Sequence, residues 1–223
     1  MRTLILLSGG MDSATVLAKA RHDFGSDGLG TLSVIYGQRH IREIGAARRI
    51  AEHYGVPHEV FDMTPRDGTA ALFTGSSLTD DVPVPHGAYD APSMKATVVP
   101  NRNMILLALA GAYAISHGYD RLAYGAHAGD HTIYPDCRPV FVDAMKKALF
   151  LCDWKSLDLW VPFLMATKGE ITRQGLALKV PYELTWTCYE GGEVACGKCG
   201  SCVERIEAFH DNNTKDPIHY APA

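Results

Sequence analysis

Two short segments of this 223-residue chain carry residue types whose spacing could do chemistry. The first is residues 8–13 (S-G-G-M-D-S), which follow an apolar run and precede a segment rich in Ala, Val and Leu. Glycine lets a backbone approach a ligand closely, and the free N–H groups at a helix start favour an anion. The segment lacks the Gly-Lys-Ser/Thr of a Walker loop and the G-x-G-x-x-G of dinucleotide folds. It therefore predicts a different kind of phosphate loop.

The second segment holds four of the six cysteines: Cys188, Cys196, Cys199 and Cys202. Two residues between cysteines let both sulfurs face one ion, and four thiolates complete a tetrahedron with no open position. The spacing favours structural Zn²⁺, with an iron–sulfur cluster or redox-active thiols as the alternatives. Clustered cysteines are also unlike a secreted disulfide framework, so we expect a cytoplasmic protein.

Composition narrows the classes of partner. Twenty-five acidic and 21 basic residues give a net charge of −4, without the positive field typical of nucleic-acid-binding proteins. The longest apolar stretch, residues 104–115, falls short of the roughly 18–20 residues that span a bilayer. We therefore expect small-molecule ligands, with no direct contact to nucleic acid or membrane.

Strand-like and helix-like segments alternate along the chain. The predicted strands are 2–7, 31–36, 56–61, 121–124 and 157–161. The predicted helices are 13–24, 41–54, 104–116, 140–150, 168–178 and 203–210. This alternation predicts an α/β fold, a Rossmann-like parallel sheet with helices on both faces.

The pattern indicates one α/β domain over residues 1–180 and a small zinc-binding subdomain over 181–223, packed together as one unit. Residues 62–99 contain four prolines and no sustained periodicity. Loops longer than about 12–15 residues are usually functional or mobile. We interpret 62–99 as a lid or an oligomer contact, with a disordered insertion as the alternative.

Other polar residues lie near predicted strand ends or helix starts, where parallel sheets bind ligands. They are Arg102, Asp136, Arg138 and Lys168. The segment after the fourth strand adds His127 and His131 with Asp130 between them, a spacing that also fits metal ligands. Nearby glycines argue against a continuous helix there, which favours polar loop residues that contact substrate or solvent.

The S-G-G-M-D-S segment resembles the PP-loop of ATP pyrophosphatases. That resemblance implies that ATP is cleaved between its α and β phosphates, with AMP passed to a substrate oxygen. Together with the segments around Arg102, Asp136 and Lys168 and the four cysteines, nearly the whole chain resembles the 7-cyano-7-deazaguanine synthase (QueC) family. The implied reaction converts 7-carboxy-7-deazaguanine and ammonia into 7-cyano-7-deazaguanine at the expense of ATP, in queuosine or archaeosine biosynthesis.

The resemblance also implies roles for individual residues. Catalysis is expected from Asp12, Ser13, Arg102 and Lys168. ATP is expected on Leu7, Ser8, Gly9, Gly10, Met11, Asp12, Ser13, Ala14, Thr15, Val16 and Leu17. Substrate contacts are expected from Arg102, His127, Asp130, Asp136 and Arg138, and structural Zn²⁺ on the four cysteines. A carboxylate beside a phosphate site is repulsive unless it holds a cation, so we expect Asp12 to bind Mg²⁺.

The resemblance further implies a homodimer, and no segment resembles a glutaminase domain, so ammonia is expected to arrive free. The sequence departs from the family pattern at His127, where many members of the family carry cysteine. This departure leaves open whether the enzyme stops at the amide instead of forming the nitrile. Two other interpretations remain, a tRNA-modifying PP-loop ATPase and a nucleotide-binding regulatory module without turnover.

Overall fold

A computed structural model describes residues 1–66 and 70–222, which contain a sheet of five strands in the order β3-β2-β1-β4-β5. The strands are β1 (Thr3–Leu6), β2 (Leu29–Ile35), β3 (His58–Asp62), β4 (Arg121–Ala123) and β5 (Asp158–Trp160). Every neighbouring pair is parallel. The central strands are buried on both faces, which is why they are continuous apolar runs in the sequence. The predicted parallel α/β fold is confirmed.

Helices cover both faces of this sheet. They are α1 (Met11–Phe24), α2 (Arg42–Tyr54), α3 (Arg102–Ser116), α4 (Pro139–Leu151), α5 (Lys168–Ala177) and α6 (Gly200–His210). Apolar residues of α1, α2, α5 and α6 share one buried cluster, which includes Leu17, Ile50, Ile171 and Phe209. Residues of α3 and α4 form a second cluster, which includes Leu107 and Met145. Neither face of the sheet is left uncovered by the described helices.

The order of the strands opens a crevice between β1 and β4. These strands are neighbours in the sheet, with Ile5 paired to Ala123, although two strands and three helices separate them along the chain. The helix after β1 lies on one face, and the helices flanking β4 lie on the other. Ligands of open parallel sheets bind at such a switch point, beyond the carboxyl ends of the strands.

The long segment after β3 contains one short 3-10 helix, Pro92–Thr97, and lies partly against the core. Phe73 and Leu78 are buried with Tyr36 beside β2. Further along, the Gly87 N–H donates to the Lys198 carbonyl at 3.0 Å, and His86 forms an antiparallel bridge with Cys199. Residues 67–69 of the predicted loop lie outside the described residues.

A buried arginine holds the parts of the C-terminal segment together. Arg205 on α6 is fully buried and forms a bidentate ion pair with Asp216, at 2.7 and 2.9 Å. The same guanidinium donates to the Thr185 hydroxyl at 2.6 Å and to the Tyr182 carbonyl at 3.0 Å. These bonds join α6, the residues after it and the segment before the cysteines. No helix among the described residues is long and apolar enough to cross a membrane.

Candidate active site

A cleft of about 210 Å³ lies at the carboxyl ends of β1, β2 and β4. Its lining comes from the glycine loop after β1, the turn after β2, the start of α3, the segment after β4, the start of α5 and the region around the cysteines. The segments after β1 and β4 are in close contact, since a β-carbon added at Gly125 would lie 3.5 Å from the Ser13 nitrogen. The cleft therefore lies at the switch point of the sheet.

The glycine loop leaves the start of α1 open to a ligand. Gly10 is the N-cap of α1 and, among the described residues, no side chain caps that end. Gly9 has φ +93°, and a β-carbon there would overlap the Glu43 carbonyl oxygen. The Ser8 and Ser13 hydroxyls lie 3.0 Å apart, and the Ser8 N–H donates to the Ser13 hydroxyl. Uncapped N–H groups and two hydroxyls suit a phosphate.

The residues expected to hold ATP divide into three sets in the structure. The cleft is lined by Leu7, Ser8, Gly10, Met11, Asp12 and Ser13. Gly9 packs behind the loop against α2. The remaining four lie in α1, where Ala14, Val16 and Leu17 belong to the apolar core. The Thr15 hydroxyl donates to the Met11 carbonyl at 2.7 Å, so it supports the first turn of the helix.

Lys168 brings charged residues from distant parts of the chain together. Its ammonium lies 2.7 Å from Asp12 Oδ2, 3.1 Å from Glu204 Oε2 and 3.3 Å from His127 Nε2. Burial opposes the charge on Lys168, but the two carboxylates raise the pKa of its ammonium. Burial likewise opposes ionisation of Asp12, yet the ammonium of Lys168 lowers the pKa of that carboxyl. The structure thus holds a charged lysine–aspartate pair at the cleft.

One oxygen of this pair has no hydrogen-bond partner among the described residues. Asp12 Oδ1 is buried and unpartnered, while Oδ2 accepts from Lys168. An unpartnered buried carboxylate oxygen costs free energy unless a ligand or ion completes it. The arrangement fits a hard cation such as Mg²⁺ at Oδ1.

The two histidines after β4 are not arranged as a metal site. His127 Nδ1 accepts the Gly129 N–H at 3.1 Å, which leaves the proton of the neutral ring on Nε2. Asp130 accepts the His127 backbone N–H at 3.3 Å and the Tyr89 hydroxyl at 2.9 Å, so it connects this segment to the long segment after β3. Across the described parts of the chain, groups of three or more candidate metal ligands occur only at the four cysteines. The structure therefore favours the interpretation of His127 and His131 as polar loop residues over the interpretation as metal ligands.

Arg102, the first residue of α3, supplies a cation to the opposite wall of the cleft. Its guanidinium lies close to Tyr36, Tyr124, Tyr134 and Cys137, and it forms no ion pair with a carboxylate of residues 1–66 or 70–222. Burial raises the pKa of the Cys137 thiol, which keeps it protonated. This wall of the cleft offers one unpaired positive charge among phenol groups.

Of the other predicted substrate residues, Asp130 lines the cleft, whereas His127, Asp136 and Arg138 lie outside its lining. Asp136 accepts the Asn103 N–H at 3.0 Å and so caps the start of α3 behind Arg102. Arg138 is exposed and donates to the His131 carbonyl at 2.8 Å. Their placement suggests support for the walls of the cleft rather than contact with a ligand.

Several lining residues were missed by the sequence analysis: Tyr36, His40, Glu43, Tyr89, Tyr134, Tyr189 and Glu204. The first three follow β2, and the rule that ligands bind at strand ends could have found them. Glu204 follows the last cysteine on α6, and Tyr89 lies in the irregular segment. Neither position carries a sequence signal, because tertiary packing alone brings them to the cleft.

The four cysteine sulfurs all lie within 4.8 Å of one another. A tetrahedral zinc site with bonds of about 2.3 Å separates its sulfurs by about 3.8 Å, close to this spacing. The backbone N–H groups of Lys198 and Cys199 donate to the Cys196 sulfur at 3.4 and 3.2 Å. Cys188, Cys199 and Cys202 are buried. The four cysteines therefore fit a single metal ion in a closed site.

Together, the switch-point cleft, the uncapped glycine loop and the four-cysteine site define a PP-loop type of nucleotide-binding α/β protein. Residues 2–213 match the family described as Queuosine biosynthesis protein QueC. The chain therefore belongs to the QueC family, as the sequence predicted.

Three curated relatives illustrate the match. One is 7-cyano-7-deazaguanine synthase 1 of Colwellia psychrerythraea, 49% identical over 219 residues and 98% of each chain. The 7-cyano-7-deazaguanine synthase of Hahella chejuensis is 50% identical, over 98% of this chain and 93% of its own. That of Methanoregula boonei is 48% identical over the full length of both. The likeness thus extends over the entire domain.

Proposed function

We propose that this enzyme converts 7-carboxy-7-deazaguanine and ammonia into 7-cyano-7-deazaguanine, with ATP as the activating substrate. The proposal rests on the arrangement of charged groups in the cleft of this QueC family member. One wall of the cleft is a phosphate loop with the Asp12 and Lys168 pair, and the other presents the unpaired Arg102. Such a site can hold a triphosphate and a carboxylate side by side.

The phosphate loop supports the ATP half of this proposal. We assign the phosphates to the residues 8–13 loop, where the N–H groups of α1 and the hydroxyls of Ser8 and Ser13 can donate. The unpartnered Oδ1 of Asp12 would hold Mg²⁺, which neutralises charge on the phosphates when bound. Lys168 would stabilise the charge that develops as pyrophosphate leaves.

Arg102 supports the part of the proposal that concerns the substrate carboxylate. Lys168 already has two carboxylate partners, and Arg138 lies outside the cleft lining, so Arg102 is the cation best placed for the substrate carboxylate. Its phenol neighbours, Tyr36 and Tyr124, provide flat surfaces against which a purine-like base can pack. Asp130 and the other predicted substrate residues would complete or support this compartment.

The chemistry follows from the poor leaving group of a carboxylate. Transfer of AMP to the substrate oxygen releases pyrophosphate, and attack by ammonia then expels AMP and gives the amide. A second AMP transfer to the amide oxygen, with loss of the nitrogen-bound protons, lets AMP leave again and gives the nitrile. Two ATP are therefore consumed per nitrile.

We propose that the four cysteines hold structural Zn²⁺. Their sulfurs are spaced for one ion, whereas an iron–sulfur cluster distributes its ligands over separate irons. No disulfide joins the six cysteines, all of which lie within the described residues, and this suits the reducing cytoplasm. We also propose that the enzyme is a homodimer, uses free ammonia and acts on the base before any nucleic acid is involved.

Mass spectrometry of the product tests the proposal. Incubation with 7-carboxy-7-deazaguanine, ATP, Mg²⁺ and ammonium should give the nitrile; an accumulating amide or no product would refute it.

Arg102→Leu should raise the KM for the carboxylate by about 10- to 10²-fold, since a lost charge-assisted contact costs about 1.5–3 kcal/mol. Arg173→Leu, an exposed change on α5, is the control. Equal KM values for the two variants would exclude the assigned role of Arg102.

A further inference from the structure

The turn after β2 holds a buried polar network that the reaction described so far does not use. Gln38 is buried, accepts the Tyr36 N–H at 2.8 Å and donates to Glu43 Oε1 at 2.9 Å. Gln38 also donates to the Val34 carbonyl at 3.2 Å. One glutamine side chain thus joins the end of β2 to the Glu43 carboxylate and fixes the orientation of that carboxylate.

The second oxygen of Glu43 faces a histidine. Glu43 Oε2 lies 3.3 Å from Nε2 of His40, a residue only 4% exposed. His40 Nδ1 is buried and has no hydrogen-bond partner among the described residues. A carboxylate at Nε2 keeps the proton on that nitrogen and leaves the lone pair of Nδ1 free. A buried nitrogen without a hydrogen-bond partner costs free energy, so this arrangement calls for a ligand.

His40 and Glu43 both line the cleft, between the phosphate loop and the wall that carries Arg102. The Glu43 backbone packs directly behind Gly9. On its other side, the His40 ring lies 5.7 Å from the ring of Tyr189, which itself lies beside Tyr134 near Arg102. The histidine is therefore placed between the two proposed substrates.

We propose that His40 is a catalytic base, oriented by Glu43, which takes a proton from the attacking nitrogen. This proposal rests on the proposed function. As the ammonia nitrogen bonds to the activated carbonyl carbon, the bond from that carbon to the AMP oxygen breaks. AMP leaves with the electron pair, and one N–H proton passes to His40 Nδ1. The products are the amide, AMP and a protonated His40, which then releases its proton to solvent.

The other basic groups in or beside the cleft are already engaged. His127 Nδ1 accepts the Gly129 N–H, and Lys168 donates its protons to Asp12 and Glu204. Of the ring nitrogens in these described cleft residues, His40 Nδ1 is the one that combines a free lone pair with an orienting carboxylate. That combination is the arrangement that general-base catalysis requires.

The test separates activation of the carboxylate from attack by ammonia. Exchange of labelled pyrophosphate into ATP, with 7-carboxy-7-deazaguanine and no ammonia, reports activation alone. His40→Asn should keep this exchange near the wild-type rate while amide and nitrile formation falls about 10²–10⁴-fold, the usual contribution of a general base. Hydroxylamine, a stronger nucleophile, should partly restore turnover as hydroxamate. His53→Asn, an exposed change on α2, is the matched control.

A second variant keeps the test decisive if His40→Asn folds poorly. Glu43→Gln retains the side-chain shape but removes the orienting charge, and it should lower amide formation less than His40→Asn while exchange persists. Amide formation near the wild-type rate, an equal fall in exchange and amide formation, or equal losses with ammonia and hydroxylamine would each overturn the role of His40. Absence of exchange in the wild type would instead refute the proposed function.

Discussion

Replacement of Lys168 by methionine should destabilise the fold far more than the same change at Lys19. Both ammonium groups lie close to an aspartate oxygen, Lys168 at 2.7 Å from Asp12 and Lys19 at 2.9 Å from Asp23. The Lys168 side chain is only 10% exposed, whereas Lys19 and Asp23 are each 27% exposed on one helix. Methionine keeps the length of the side chain and removes only its charge.

The difference in burial between the two ion pairs sets the size of the expected loss of stability. Loss of one partner from a buried ion pair costs about 3–5 kcal/mol, and the 23% exposure of Asp12 places Lys168→Met near the lower end. A cost of about 3 kcal/mol lowers the thermal midpoint of a chain this size by about 6–12 °C. A helical i,i+4 pair contributes about 0.3–0.5 kcal/mol, so Lys19→Met should lower it by at most about 2 °C.

Thermal unfolding by circular dichroism, without Mg²⁺ or ATP, measures both midpoints. The lowered pKa of Asp12 stabilises the fold above the unfolded value of about 3.9, and the raised pKa of Lys168 does so below about 10.4. The difference between the variants should therefore be large at pH 7–8 and shrink as the pH falls below about 4. Equal midpoints at pH 7.5, or a difference independent of pH, would refute the reasoning.

Two further predictions concern the metal site and the phosphate loop. Cys199→Ser should lose its bound zinc, measured by atomic absorption, and should unfold at a lower temperature, because a structural metal ion contributes folding free energy. The control is Cys152→Ser, at an exposed cysteine, which should keep the zinc content and the unfolding temperature of the wild type. Gly9→Ala should abolish ATP binding in calorimetry because its β-carbon overlaps the Glu43 carbonyl, whereas Gly37→Ala, at a similar φ of +94° in open space, should bind ATP normally. Full zinc occupancy in Cys199→Ser, or ATP binding by Gly9→Ala, would contradict these two accounts.

The order and type of the regular elements follow from the sequence, but three helix starts do not. We expected helices from residues 13, 104 and 203, and the structure starts them at Met11, Arg102 and Gly200. In each case the first turn contains polar or small residues that break the apolar periodicity. Those first turns face the cleft or the metal site, so their residues are suited to ligands rather than to core packing.

Sequence by itself determined the features whose parts are contiguous. The phosphate loop and the four cysteines lie within short segments, and their local spacing already defines their geometry. Tertiary structure alone decided which distant charges meet. Lys168 reaches Asp12 across 156 residues because α5 packs on α1. Likewise, Glu204 and His40 become part of the cleft through the packing of α6 and the turn after β2. No local pattern encodes such contacts, since they depend on how whole elements pack.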